Sequence, residues 1–264
     1  MRYSVSIIIN CYNGEKYLEQ CLKSLKNQIF KDFEVIFWDN CSNDKSEEIF
    51  KRFENDQFKY FKSKVFLNLY EARNQACKQA RGTHIAFLDT DDFWHENFLS
   101  SRENFFNQLN QKFSYSNCFH LYELSSKKEI FTNIKLKSGN ILNFLSKNYL
   151  VKISCLVIKK DILEKENFFY GNYNIIGDFD LVMRLASKYE AHAIQDPLAT
   201  VRFHSNNYLD KNRKMFFNEY YDWFTRKKNI NFSFVSFYHF FKFLSKLFII
   251  SMLPKKFLYM IKKK

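Results

Sequence analysis

The chain has 264 residues, 46% of them hydrophobic, which suits one large α/β domain with a substantial core. Five glycines and two prolines exclude a collagenous, linker-rich or low-complexity chain. The formal charge is +13, but residues 226–264 carry ten Lys or Arg and no Asp or Glu, so a nearly neutral body is followed by a basic, aromatic tail.

Val5 to Ile9 forms a short apolar run closed by Asn10, which is too short for a signal peptide and predicts a buried strand. Leu18, Cys21, Leu22 and Leu25 recur at helical spacing. Glu34 to Trp38 predicts a second strand. Asp44 to Glu47 has capping-box spacing ahead of a helix with Ile49, Phe50 and Phe53 on one face. Phe58 to Phe61 is a weak third strand, Leu69, Ala72, Ala76 and Ala80 mark a small-residue helix face, and His84 to Leu88 is a fourth strand. Strands alternating with helices predict a Rossmann-like, mostly parallel sheet flanked by helices. A helix is expected around Phe98 to Phe106, strands at Ser114–Leu124 and Val151–Ile158, and helices at Phe179–Tyr189 and from Tyr208 to about Lys227. The six cysteines include no C-x-x-C pair and match neither a zinc site nor a disulfide framework, so reduced thiols in the cytosol are expected.

Open parallel sheets bind ligands at the carboxyl ends of their strands. Here those ends read Asn10 to Asn13, Asp39 to Asp44, and Asp89-Thr90-Asp91-Asp92. The chain has no G-x-G-x-x-G and no P-loop, so no glycine-rich loop cradles a phosphate. Three carboxylates beside a diphosphate call for a cation between them, and oxygen ligands select Mg²⁺ or Mn²⁺. A plainer use of one of these acids is to cap the following helix.

Residues 4–13 (SVSIIINCYN), 38–44 (WDNCSND), 72–74 (ARN) and 87–92 (FLDTDD) together resemble the inverting family 2 glycosyltransferases of the A-type fold. The resemblance covers residues 1 to about 95 well, is patchier to about 205, and ends there. It implies that Tyr12 stacks on or flanks the nucleobase, that Asp39 accepts from a uracil ring, and that Arg73 reaches toward diphosphate or ribose. It also assigns Asn13 and Glu15 to the nucleotide-sugar, Asp89 to ribose or metal, and Asp91 to the metal. Gly177-Asp178-Phe179-Asp180-Leu181 occupies the place of the family's acid pair, which makes Asp178 the general base, with Gly177 where the first acid is expected. Asp178 as a helix cap and Asp180 paired with Arg184 are the ordinary uses of the same residues. Arg202-Phe203-His204 resembles a segment whose histidine, here His204, approaches the metal or diphosphate. Asn10 and Cys11 stand for a usual Pro and Thr, and Ala76 for a usual Gly.

In the tail, Phe237, Phe240, Phe241, Leu244 and Phe248 repeat at helical spacing, interrupted by Lys242 and Lys246. That pattern predicts an amphipathic helix in the interface of an anionic membrane, with a helix packed on the body as the other reading. No nucleic-acid-binding motif accompanies the basic residues, so nucleic acid is not an expected partner.

The expected organisation is a glycosyltransferase domain over 1–205, with a nucleotide-sugar half at 1–110 and an acceptor half at 111–205, followed by a helical extension at 206–264. The expected function is transfer of a sugar from a nucleotide diphosphate donor, UDP-linked, to a hydroxyl of a glycan or lipid-linked acceptor. The place is the inner face of the cell membrane, in surface polysaccharide or lipooligosaccharide synthesis. A catalytically impaired nucleotide-sugar-binding protein and a nucleotidyltransferase are the alternatives.

Overall fold

The computed structural model describes residues 3–204, 212–226 and 234–252. Four strands, β1 (Val5–Cys11), β2 (Phe33–Asp39), β3 (Phe58–Lys62) and β4 (His84–Phe87), lie parallel in the order β3-β2-β1-β4. Cys11 pairs with Asp39 and Ile8 with Phe87, so the carboxyl ends of the three central strands stop at one rim. These strands are apolar on both faces because both are covered. Ile7, Ile9, Val35 and Phe37 join Leu18, Leu22 and Phe50 of α1 (Glu15–Lys26) and α2 (Ser46–Lys51). Ile8 and Ile36 point to the opposite face, toward α3 (Leu69–Gln79). The buried small side chains Ala72 and Ala76 let α3 lie close to the sheet.

The sheet continues through β8 (Leu156–Lys159), antiparallel to both β4 and β6 (Gln111–Tyr122). Beyond it, β9 (Glu190–Phe203) runs parallel to β6, while β5 (Phe93–Trp94) and β7 (Lys127–Ile130) add short antiparallel edges. This is the α/β, helix-flanked architecture expected from the sequence, built as one sheet of nine strands among the described residues. The shorter helices are α4 (Glu103–Phe106), α5 (Leu142–Lys147) and α6 (Lys160–Lys165); α7 (Gly177–Lys188) carries Asp178 and Asp180. Two further helices, α8 (Arg213–Arg226) and α9 (Phe234–Met252), complete the described chain.

Several local expectations are corrected. The capping box at Asp44–Glu47 does not form: Asp44 accepts from the Ser46 and Glu15 amides, and Glu47 pairs with Lys62 at 2.6 Å. The helix around Phe98 is a 3-10 turn (Ser100–Arg102) followed by the single turn α4. The strand expected at Val151 starts at Leu156, because Ile153–Cys155 forms a 3-10 turn whose Ser154 side chain is used elsewhere. The 14-residue β9 was not legible, since Gln195, Asp196 and Pro197 interrupt its pattern and coincide with irregular register against β6.

The tail stripe divides. Phe240, Leu244 and Leu247 are buried against the body, where α9 contacts α5 and α8. Phe237, Phe241 and Phe248 remain about half exposed, at 48%, 55% and 47%. The stripe read from the sequence thus serves two faces: three positions spaced i, i+4, i+7 pack inward and their neighbours face out. No described helix is long and apolar enough to cross a membrane. Lys255, Lys256 and Lys262 to Lys264 lie outside the described residues, as do Tyr208 to Lys211 of the expected helix start.

Candidate active site

The strand ends meet as the sequence predicts. At β4 the chain turns sharply, the Asp92 amide donating to the Asp89 carbonyl at 3.1 Å, which gathers three carboxylates. Asp89, Asp91 and Asp92 each offer an oxygen within 4.8 Å of the others. Their partners separate their roles. Asp92 is buried, and both its oxygens are taken: Ser154 Oγ donates to Oδ2 at 2.6 Å and the Arg202 amide to Oδ1 at 2.9 Å. Asp91 Oδ2 lies 3.0 Å from His204 Nε2. Asp89 forms an ion pair with the buried Arg73 guanidinium.

Asp89 and Asp91 therefore remain the carboxylates open to a ligand, with His204 Nε2 hydrogen-bonded to Asp91, whereas Asp92 shapes the turn. Burial pushes the Asp91 carboxyl above its ordinary range, the Asp89 charge adds to this, and His204 partly offsets both. Like charges held this close leave a local deficit of positive charge. Clustered carboxylate oxygens suit a divalent ion of the Mg²⁺ or Mn²⁺ class, so the residues present fit such a group. His204 reaches the cluster because β9 delivers it there. Its ring stacks on Tyr17 with centroids 5.4 Å apart, and the neighbouring Arg202 guanidinium lies over the same tyrosine at 4.5 Å while donating to the Asp91 carbonyl.

At the nucleotide rim, Tyr12 is 54% exposed and makes an edge contact with Phe66, itself exposed, at 4.8 Å. Phe66 was not foreseen; it sits in the β3–α3 loop, where sequence pattern says nothing. Asn13 adopts φ +54° and ties two loops together: its amide donates to Ser42 Oγ, and its Oδ1 accepts from the Asn43 amide. Glu15 accepts from the Lys45 amide at 2.9 Å and so fastens α1 to the same loop. Asp39 is fully buried, with Oδ1 accepting from the Ser42 amide at 2.7 Å and Oδ2 from Tyr60 Oη at 2.6 Å. Both Asp39 oxygens are thus already engaged within the protein.

The acid of α7 approaches from the other half of the molecule. Helix α3 pins the loop that leads to it. Asn68 donates to the Gly171 carbonyl at 2.6 Å, and Asn74 brackets the Phe169 backbone with bonds of 2.9 and 3.0 Å. The Tyr70 hydroxyl donates to the Ile175 carbonyl at 2.8 Å and reaches Asp178 Oδ1 at 3.2 Å. Burial raises the Asp178 carboxyl above the ordinary aspartate range, opposed by the Arg73 charge. Arg73 thus serves the Asp89 and Asp178 carboxylates together. Asp180 instead pairs with Arg184 at 2.9 Å, the i,i+4 use read from the sequence.

The departure at Gly177 has a steric cause. A Cβ there would lie 2.6 to 2.7 Å from three Tyr70 ring carbons. An acid at this position is incompatible with the Tyr70 ring, and Tyr70 is the group that reaches Asp178. Glycine and tyrosine are a matched pair. In a helix, Gly→Ala ordinarily stabilises by about 0.5–1 kcal/mol; here overpacking costs about 1–3 kcal/mol, so the sign reverses. We expect urea melts to show Gly177→Ala destabilised, and Gly177→Ala placed on Tyr70→Ala to recover most of that loss. Equal losses in both backgrounds would refute the pairing.

Residues 6–165 match the model of glycosyl transferase family 2. Over 234 residues the chain is 30% identical to an uncharacterized glycosyltransferase of Methanocaldococcus jannaschii, covering 85% of this chain and 80% of that protein. It is 34% identical over 115 residues to a UDP-Glc:α-D-GlcNAc-diphosphoundecaprenol β-1,3-glucosyltransferase of Escherichia coli, which is 44% of this chain and 46% of the relative, so it spans less than half of that relative's length. Among solved structures, S. aureus TarS 1-349 in complex with UDP-GlcNAc superposes with a TM-score of 0.72 at 18% identity, covering 93% of this chain and 71% of that one, a likeness of fold. With the family model spanning more than half of its length, and the strand-end acids where the fold places them, the chain belongs to glycosyl transferase family 2 and is a glycosyltransferase.

Proposed function

We propose that the protein transfers a sugar from a UDP-linked donor to a hydroxyl of a lipid-linked glycan, with inversion, in the assembly of a surface polysaccharide. The observation that carries this reading is the placement of Asp178 on an element separate from the Asp89–Asp91 cluster, joined to it through Arg73. Single displacement needs a carboxylate base on the side opposite the leaving diphosphate. The acceptor O–H gives its proton to Asp178, the oxygen bonds to the anomeric carbon, and the bond to diphosphate breaks with its electron pair leaving on the phosphate oxygen. Asp89, Asp91 and His204 would hold a divalent cation, which when bound supplies charge neutralisation to the departing diphosphate. Tyr12, with Phe66 beside it, offers an aromatic surface to the nucleobase. Asn13, Glu15 and Asp39 act on the nucleotide by holding the loop that borders it, and Arg73 faces the diphosphate from α3.

The acceptor class is supported by the E. coli relative, which acts on a diphosphoundecaprenol-linked sugar. The nucleotidyltransferase alternative finds no glycine-rich loop in the sequence. The impaired-enzyme alternative rested on Gly177, whose presence is accounted for by Tyr70. Incubation with UDP-glucose or UDP-N-acetylglucosamine and a diphosphoundecaprenol-linked sugar, with Mn²⁺ or Mg²⁺, is the direct test. Formation of a β-linked product from an α-linked donor supports the reading; absence of transfer from both donors rejects it.

Three outcomes follow from the roles. First, Asp91→Asn should weaken UDP binding in Mn²⁺ by at least about tenfold while the melting curve is kept. Calorimetry that finds the wild-type UDP affinity unchanged in EDTA would remove the cation.

Second, Asp178→Asn should lower turnover by at least about a hundredfold with donor affinity kept. The base works only when deprotonated, and burial raises its pKa, so wild-type kcat/KM should fall as pH drops through a value above the ordinary aspartate pKa of about 3.9. A rate that stays flat down to about pH 4 would exclude Asp178 as the titrating group.

Third, the outward face of α9 presents Phe237, Tyr238, Phe241, Phe248 and Ile249 beside Lys242 and Lys246, and we assign it to an anionic membrane surface where the lipid-linked acceptor resides. Each lysine near such a surface contributes about 1 kcal/mol, so Lys242→Gln with Lys246→Gln should weaken binding to phosphatidylglycerol vesicles roughly thirtyfold. Raised salt should act in the same direction. Co-sedimentation indifferent to both changes would detach α9 from the membrane.

A further inference from the structure

Helix α7 begins without a side-chain cap. Its N-cap residue is Ile176, which has no acceptor to offer, and the structure shows no side-chain cap bond there. A carboxylate arrives instead from α8. Glu219, buried at 8% exposure, accepts three successive backbone N–H groups: Oε1 takes Asn174 at 2.7 Å, and Oε2 takes Ile175 at 2.9 Å and Ile176 at 3.1 Å. Burying a carboxylate is costly unless its lone pairs are met, and here backbone amides meet them beside the positive end of a helix dipole. The same tripeptide is held from its carbonyl side by Tyr70 at Ile175. One residue upstream, Tyr173 Oη donates to Asp222 Oδ2 at 3.2 Å, so α8 grips this segment twice.

We propose that Glu219 is a positioning residue for Asp178: it sets the loop 174–176, and through it the start of α7, so that the base carboxyl stays beside Tyr70. This rests on the assignment of Asp178 as base. Helix α8 lies beyond residue 205, where the expected glycosyltransferase domain stops, and the inference makes it part of the catalytic apparatus.

The test is Glu219→Gln, which keeps shape but replaces one acceptor oxygen by an NH₂ group facing backbone N–H donors. Turnover, read as UDP release from UDP-glucose or UDP-N-acetylglucosamine, is expected to fall on the order of tenfold to a hundredfold, as for a small displacement of a catalytic group. UDP affinity and stoichiometry by calorimetry should be unchanged. Amide hydrogen exchange should accelerate at Asn174 to Asp178 and stay slow in β1, β2 and β4. In an Asp178→Asn background the same change should cost little more, because both act through one carboxylate. Wild-type turnover with unchanged exchange at 174–178 overturns the proposal, and so does a full extra loss in the Asp178→Asn background. If Asp178→Asn itself retains turnover, the base assignment fails, and exchange at 174–178 alone then decides whether Glu219 holds the loop. Should Glu219→Gln fail to fold, Glu219→Asp, which keeps the charge but shortens the reach, is expected to give an intermediate loss; full turnover and native exchange in that variant would overturn the proposal equally.

Discussion

The arrangement of this site depends on keeping three closely placed carboxylates from repelling one another at a strand end. Asp92 resolves its share of the problem by hydrogen bonding alone. It accepts from Ser154, ahead of β8, and from the Arg202 amide near the end of β9, so one side chain joins three segments remote in sequence. Ser154 Oγ also accepts from the Asp89 amide at 3.3 Å, which steadies the turn from which Asp91 projects. Burial pushes the Asp92 carboxyl well above its ordinary range, and the nearby Asp91 and Asp89 charges add to that. The knot leaves Asp89 and Asp91 as the acids still available for a ligand.

A second constraint acts through α3. From it and its N-cap, Asn68, Tyr70, Arg73 and Asn74 reach across to the loop before α7 or to the acid cluster. Arg73 is buried between charges that it serves jointly, and the Tyr70 and Phe169 rings lie within 6 Å of its guanidinium. The helix is a strut between the sheet and the loop before α7. Its small-residue face lies on the sheet, and the larger polar residues project from the remaining positions. A glycine at 177 is the steric counterpart of that strut, which ties the composition of α7 to a residue more than a hundred positions earlier.

The helices that follow β9 extend the same logic. Phe179, next to Asp178, is enclosed by Tyr149, Tyr220, Trp223 and Phe240, with ring centroids from 4.7 to 6.4 Å. Helices α8 and α9 thus cover the start of α7 with apolar surface, and α9 turns its remaining aromatic residues outward. A helix so placed has one face committed to folding and another exposed.

The sequence by itself determined the parallel first half, because strands apolar on both faces must be covered by helices, and it located the strand ends where ligands bind. Family resemblance then marked Asp91, Asp89, His204 and Asp178, and the fold brings the first three of these together while Arg73 and Tyr70 connect them to the last. Other contributors were not legible. Ser154, Tyr70, Phe66 and Glu219 carry no local signature, since each works through a neighbour distant along the chain. The long β9 was hidden by an irregular stretch, and the tail stripe seemed uniform because helical spacing reports a face without saying what covers it. Periodicity and motif record interactions within a few residues. Which backbone amide meets which carboxylate, and why a glycine faces a tyrosine ring, was decided only when the sheet brought separate segments to one rim.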